Sequence, residues 1–113
     1  MSAATVLARR QVVLLPFPFS DLSANKVRPA VVMANAGRGD WLLCQITSQP
    51  FGDLQAVRLE DADFAVCSLR LTNYARPAKL LTAHESLVKS VAGLLTDAAH
   101  DRVCLALVVI LNR

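Results

Sequence analysis

The chain lacks the features that would place it in several large classes. It has three cysteines, Cys44, Cys67 and Cys104, widely spaced and without a Cys-x-x-Cys pair. That pattern fits neither a zinc site nor a disulfide framework, so each is expected as a small buried hydrophobe. No apolar run is longer than residues 103–111, far short of the ~20 residues that a membrane-spanning helix needs. The apolar patch near the N-terminus precedes Arg9 and Arg10, the reverse of the order in a secretory signal, and a cytoplasmic location is expected. No repeat or low-complexity segment appears, and charged residues make up only 19%. A length of 113 residues predicts one domain over 1–113, able to bury roughly two thirds of its unfolded surface without metal or disulfide staples.

What the chain does have is apolar content. At 54% hydrophobic residues it exceeds what a small soluble monomer can easily cover with polar surface, which predicts apolar surface that meets a partner. The net charge is +3, and nine of the twelve basic residues are arginine. Planar guanidinium forks match phosphate geometry and make nucleic acid a reasonable partner, although arginine content also follows coding composition.

Residues 11–15, 30–34 and 41–47 read as strands from their β-branched content and flanking turn residues, with Gly37, Arg38, Gly39 and Asp40 as a tight connection. Residues 56–59 alternate as a half-exposed strand, closed by Glu60, Asp61 and Asp63. Residues 68–74 and 78–82 give two more short strands on either side of Arg76-Pro77. Residues 85–90 read as a short helical turn that Gly93 interrupts. Thr96-Asp97 reads as an N-cap with a first-turn acid, opening a helix to about Leu111. That helix is apolar nearly all round, which predicts packing on several sides. Mainly β structure with a C-terminal helix points to a small β-barrel, whose loops carry function.

Chemistry is expected where the first strand breaks. Pro16 and Pro18 end its ladder, Ser20, Asp21, Ser23 and Asn25 form a polar turn, and Lys26 and Arg28 place two cations before the next apolar run. An arginine at a loop-strand junction suits an anion, although an arbitrary Arg-Pro pair is more often a solvated charge.

Three blocks in order, VVLLPFPFSDLSANKVRPAVVMA from Val12, then Ile46-Thr47-Ser48-Gln49, then NYARPAKLLT from Asn73, resemble the MazF/PemK-like toxins. The resemblance covers most of the chain and weakens after Thr82. It implies an SH3-like barrel (MazF/PemK/CcdB-like) and a homodimeric toxin of a type II toxin–antitoxin pair. The activity it implies is metal-independent, sequence-specific endoribonuclease action on single-stranded RNA, with no cofactor and with a cognate antitoxin as partner. In that family the 2′-hydroxyl attacks the adjacent phosphate, and the catalytic arginine and threonine fall on Arg28 and Thr47. Arg28 suits stabilisation of a phosphate that gains charge; always protonated, it is a poor base. Thr47, assisted by Ser48, offers hydroxyls to a phosphate oxygen, against the ordinary reading of a Thr-Ser pair as local turn bonding.

Arg76 and Lys79 match a branch with Arg-Pro-x-Lys-Leu and are assigned, with Lys26, to RNA phosphate. Asp21 is placed to orient Arg28, and Phe19, with Phe17, Trp41 and Tyr74, is a candidate for stacking on unpaired bases. His84 and His100 are expected to lie far from the loop. Where some branches carry an arginine and an aspartate before the proline, this chain has Asn73 and Ala75, and those roles do not transfer. That departure supports the alternative of a catalytically weak or inactive member that binds RNA or antitoxin without efficient cleavage.

Overall fold

A computed structural model describes residues 7–16, 26–67, 69 and 72–113. Among the described residues seven strands form one sheet: β1 (Gln11–Pro16), β2 (Val27–Gly37), β3 (Asp40–Thr47), β4 (Val57–Leu59), β5 (Phe64–Val66), β6 (Asn73–His84) and β7 (Ser90–Leu95). One helix, α1 (Asp97–Leu111), follows. Neighbours run β4-β6-β3-β2-β1-β7-β5 and every pair is antiparallel.

The order forces the sheet to curl. Its two edge strands, β4 and β5, are joined by residues 60–63 alone. Seven flat strands would set those edges about 29 Å apart at ~4.8 Å per step, whereas the link from Leu59 to Phe64 spans at most about 17 Å of extended chain. The sheet therefore bends into a half-barrel, in agreement with the mainly β, barrel-like architecture read from the sequence. The link is pinned at several points. Glu60 N–H donates to Asp63 Oδ2 at 2.8 Å and Thr96 N–H to the Asp63 carbonyl at 2.8 Å. Arg102 Nη2 lies 3.0 Å from Asp63 Oδ1 and donates to the Arg58 carbonyl at 3.3 Å. The helix thus closes the seam between the edge strands.

Strand alternation divides the core in two. On one face Val12, Val31, Met33, Cys44, Ile46, Leu59, Ala75 and Leu95 pack with Ala99 and Val103 of α1. On the other, Leu7, Val13, Leu15, Ala30, Val32, Trp41, Leu43 and Ala83 pack together. Central strands buried on both faces read as near-continuous apolar runs, and much of the 54% apolar content is consumed in this way.

Several expectations change. The strands expected on either side of Pro77 meet in one strand, β6, which takes in only 73–74 of the expected 68–74 (68, 70 and 71 lie outside the described residues), and Pro77 is buried in it. Proline has no N–H for the ladder, and the pairing slips there: Cys44 opposes Leu80 while Ile46 opposes Ala75, a bulge that accommodates it. Gly93 does not interrupt a helix. The helical turn shrinks to the 3₁₀ turn Glu85–Leu87, and Gly93 lies within β7 where a Cβ would come within 2.9 Å of the Val66 carbonyl, so only glycine lets β5 approach. The helix starts on the Thr96 cap, whose hydroxyl accepts from Ala99 N–H at 3.1 Å, but it is packed on one side only: Leu105, Val108, Val109 and Leu111 are exposed. Cys44 is buried, Cys104 half-buried and Cys67 exposed, so the burial expected for every cysteine holds fully only for Cys44.

Candidate functional site

Arg28 is the second residue of β2 and Thr47 the last of β3. The last β2–β3 pair at this end is Ala30 with Gln45; Arg28 and Thr47 lie two residues beyond it on their strands, and alternation puts both on the face of Ala30 and Gln45. Leu15 opposes Arg28, Tyr74 opposes Thr47 and Arg58 opposes Tyr74. Five strands therefore contribute one row of residues at this end of the sheet in two paired parts, Leu15 with Arg28 and Thr47 with Tyr74 and Arg58, that flank the end of the β2–β3 ladder. The sequence sets Arg28 and Thr47 19 positions apart; the antiparallel β2–β3 ladder brings them to the same end of the sheet.

Arg28 is half-buried. The Thr47 hydroxyl accepts from Gln49 N–H at 3.1 Å and donates to the Gln49 carbonyl at 3.3 Å, the local turn bonding that competes with a ligand, and one acceptor lone pair is left. Ser48, Lys26 and Lys79 are exposed, and Lys79 lies in the β6 segment that bulges past Gln45. Arg76 is committed elsewhere: its Nε donates to Asp53 Oδ2 at 2.9 Å, with side chains only 20% and 11% exposed. Its first role is to anchor the loop after β3. The Arg76 guanidinium holds the Asp53 carboxyl below its usual range, so Asp53 is a weak base. Phe19 and Asp21 lie outside the described residues. Trp41 is in the core and donates to Glu85 Oε1 at 3.3 Å, which removes it as a stacking surface.

Two departures from the resembling family have a structural context. Ala75 is fully buried between Ile46 and Val57, and Asn73 is buried opposite Leu59. A carboxylate at 75 would be desolvated in the helix-covered core. Both histidines are remote. His84 pairs with Asp40 at the other end of β6 from Tyr74 and accepts from Ser86 N–H through Nδ1. His100 is buried on α1, where its Nε2 lies 3.1 Å from the Val32 carbonyl. Among the described residues no cluster of His, Cys, Asp or Glu could hold a metal ion. The row is thus a cationic, hydroxyl-bearing surface suited to phosphate, without a carboxylate or imidazole base in it.

Sequence reasoning passed over Gln45, one position before the Ile-Thr-Ser-Gln block. It is buried, and its Oε1 has no hydrogen-bond partner among the described residues. Such an acceptor costs free energy and sits one ladder step inward from Arg28 and Thr47. A glutamine between apolar neighbours in a buried strand was the available signal.

No protein-family model and no curated protein matches the chain. Solved structures do. MazF from Deinococcus radiodurans superposes with a TM-score of 0.74 at 18% identity, covering 96% of this chain and 98% of that one. An endoribonuclease in complex with its cognate antitoxin, from a mycobacterial species, gives 0.70 at 19% identity, covering 96% and 95%. The Mycobacterium tuberculosis toxin MazF-mt6 gives 0.70 at 15% identity, covering 91% and 97%. The chain has the fold of the MazF toxins. With the MazF fold in hand, the short β4 and β5 strands and the helix that seals them belong to the scaffold, and the row at the β2 start and β3 end stands as its candidate site.

Proposed function

We propose that the protein is the toxin of a type II toxin–antitoxin pair: a cytoplasmic, homodimeric endoribonuclease that cuts single-stranded RNA at specific sequences without a metal ion and arrests growth when its antitoxin is absent. The observation that supports this reading is that Arg28 and Thr47 stand at the same end of the β2–β3 ladder, each two residues beyond its last pair, Ala30 with Gln45, in a chain with the MazF fold. In the proposed reaction the 2′-hydroxyl oxygen attacks the adjacent phosphorus and gives up its proton to water, the bond to the 5′-oxygen breaks and that oxygen takes up a proton from water, and the products are a 2′,3′-cyclic phosphate and a 5′-hydroxyl. Arg28 offers two parallel donors to the phosphate oxygens as charge builds on them. Thr47 and Ser48 add hydroxyl contacts, and Lys26 and Lys79 attract the RNA backbone. The exposed stripe Leu105, Val108 and Val109, at helical i, i+3, i+4 spacing, offers apolar surface for a second copy or the antitoxin.

The absence of a base in the row, with Ala75 in the core, favours a second reading, a weak or inactive member that binds RNA without efficient cleavage. One experiment separates the two. Purified protein is incubated with mixed-sequence RNA in EDTA beside Arg28→Ala and Thr47→Ala. Site-specific cuts that both variants lose support the toxin; intact RNA, or variants that cut equally well, refute the mechanism.

A further inference from the structure

The loop 48–56 between β3 and β4 is two turns hinged on one residue. Asp53 N–H donates to the Pro50 carbonyl at 3.0 Å and Ala56 N–H to the Asp53 carbonyl at 3.2 Å. In the first turn both central residues have positive φ, Phe51 at 52° and Gly52 at 74°, as in the mirror-image turns that ordinarily carry Asn-Gly. A phenylalanine in left-handed backbone is strained, and this one gains little burial in return: it is 81% exposed. Leu54 at the corner of the second turn is 94% exposed. The hinge is firm, because Asp53 Oδ1 accepts from Gln55 N–H at 2.9 Å while Oδ2 holds Arg76 in a largely buried ion pair. An aromatic ring is therefore held out in water on a braced loop, four residues from Thr47.

We propose that Phe51 is a stacking platform for a base of single-stranded RNA next to the phosphate that Arg28 and Thr47 hold; the inference rests on the ribonuclease reading. A ring face suits any unpaired base and needs no hydrogen-bond pattern. The exposed Lys79, with Arg58 whose Nε also lies 3.6 Å from Glu60 Oε2, supplies cations to the backbone phosphates on this side of the sheet. Arg76 acts as a positioning residue: it fixes Asp53 and, through it, the turn that presents the ring.

The test compares wild type with Phe51→Ala and Phe51→Trp on an RNA oligonucleotide containing the mapped cleavage site. A second oligonucleotide is made uncleavable by a 2′-deoxy nucleotide at that site, and a third set carries single abasic positions. Phe51→Ala is expected to raise KM and weaken binding of the uncleavable RNA about ten-fold, with kcat and melting temperature nearly unchanged because the ring is exposed. Phe51→Trp is expected to restore binding, and its emission to change on RNA addition. One abasic position should weaken wild type but cost Phe51→Ala nothing further. Unchanged KM in Phe51→Ala, an equal abasic penalty in both proteins, or a loss confined to self-association or antitoxin binding overturns the inference while leaving the ribonuclease intact. Failure of wild type to bind or cut any RNA defeats the ribonuclease reading first and takes this one with it.

Discussion

The face of the sheet under α1 and the face that carries Arg28 and Thr47 come from the same strands, yet they treat polar groups differently. Under the helix each buried polar side chain has a partner: His100 Nε2 meets the Val32 carbonyl, and its Nδ1 lies 3.6 Å from Cys104 Sγ. Burial there pushes the Cys44 thiol up to about 12, which makes it inert. The other face is apolar around Trp41 and Leu43 but turns polar at the β2–β3 end, with a half-buried arginine and a glutamine oxygen that has no partner among the described residues. One face serves stability, whereas the other gives up some of it at a single end. Such local inconsistency is what a binding site looks like in a fold that is otherwise consistent.

If the division is right, variants should separate cleanly into those that lose activity and those that lose stability. Arg28→Ala should lower RNA cleavage about 10²- to 10³-fold, or ~3–4 kcal/mol of transition-state stabilisation, with little change in urea midpoint; a comparable stability loss would break the comparison. Leu59→Ala, in the helix-covered core, should lower unfolding free energy by about 3 kcal/mol and leave cleavage per folded molecule unchanged. Asp53→Ala strands Arg76 and should cost about 2 kcal/mol while also raising KM for RNA, since it frees the loop. Gln45→Met removes the Oε1 that has no partner among the described residues and should raise stability by about 1 kcal/mol while weakening RNA binding, the sign expected of a site residue.

The smallest effect is one of pH. Burial, offset in part by the Val32 hydrogen bond, lowers the His100 pKa from its ordinary value near 6.5. The unfolded chain then takes up the proton first, so stability falls as pH drops below about 6.5. The Asp53 contribution is lost only further down, below the ordinary carboxylate value of 3.8. Melting temperatures between pH 8 and 5 should therefore decline in wild type and stay flatter in His100→Asn. An equal slope would place the titrating group elsewhere.

Much of this was legible in the chain. Apolar runs at 11–15, 30–34 and 41–47 mark the central strands because those strands are buried on both faces, and the Thr96 cap marks the helix start because its hydroxyl has one local task. Arg28 and Thr47 were legible as members of motif blocks. Less legible were β7 and the joined β6. Gly93 and Pro77 act as breakers in isolation, but here a close neighbouring strand and a ladder bulge absorb them. Phe51 carried no signal as a turn residue, since turns usually take Asn or Gly there, and Arg76 gave none of its pairing with Asp53, 23 positions away.

The sequence by itself determined the strand-rich class and the helix limits, because periodicity and capping are local properties, and its resemblance to a known family singled out Arg28 and Thr47 as candidates. Only the tertiary structure decided that Arg28 and Thr47 share a face, that Arg76 braces a loop and that Phe51 stands in water. Those outcomes depend on register and on which distant partners complete each hydrogen bond, and neither is encoded in the spacing of residues along the chain.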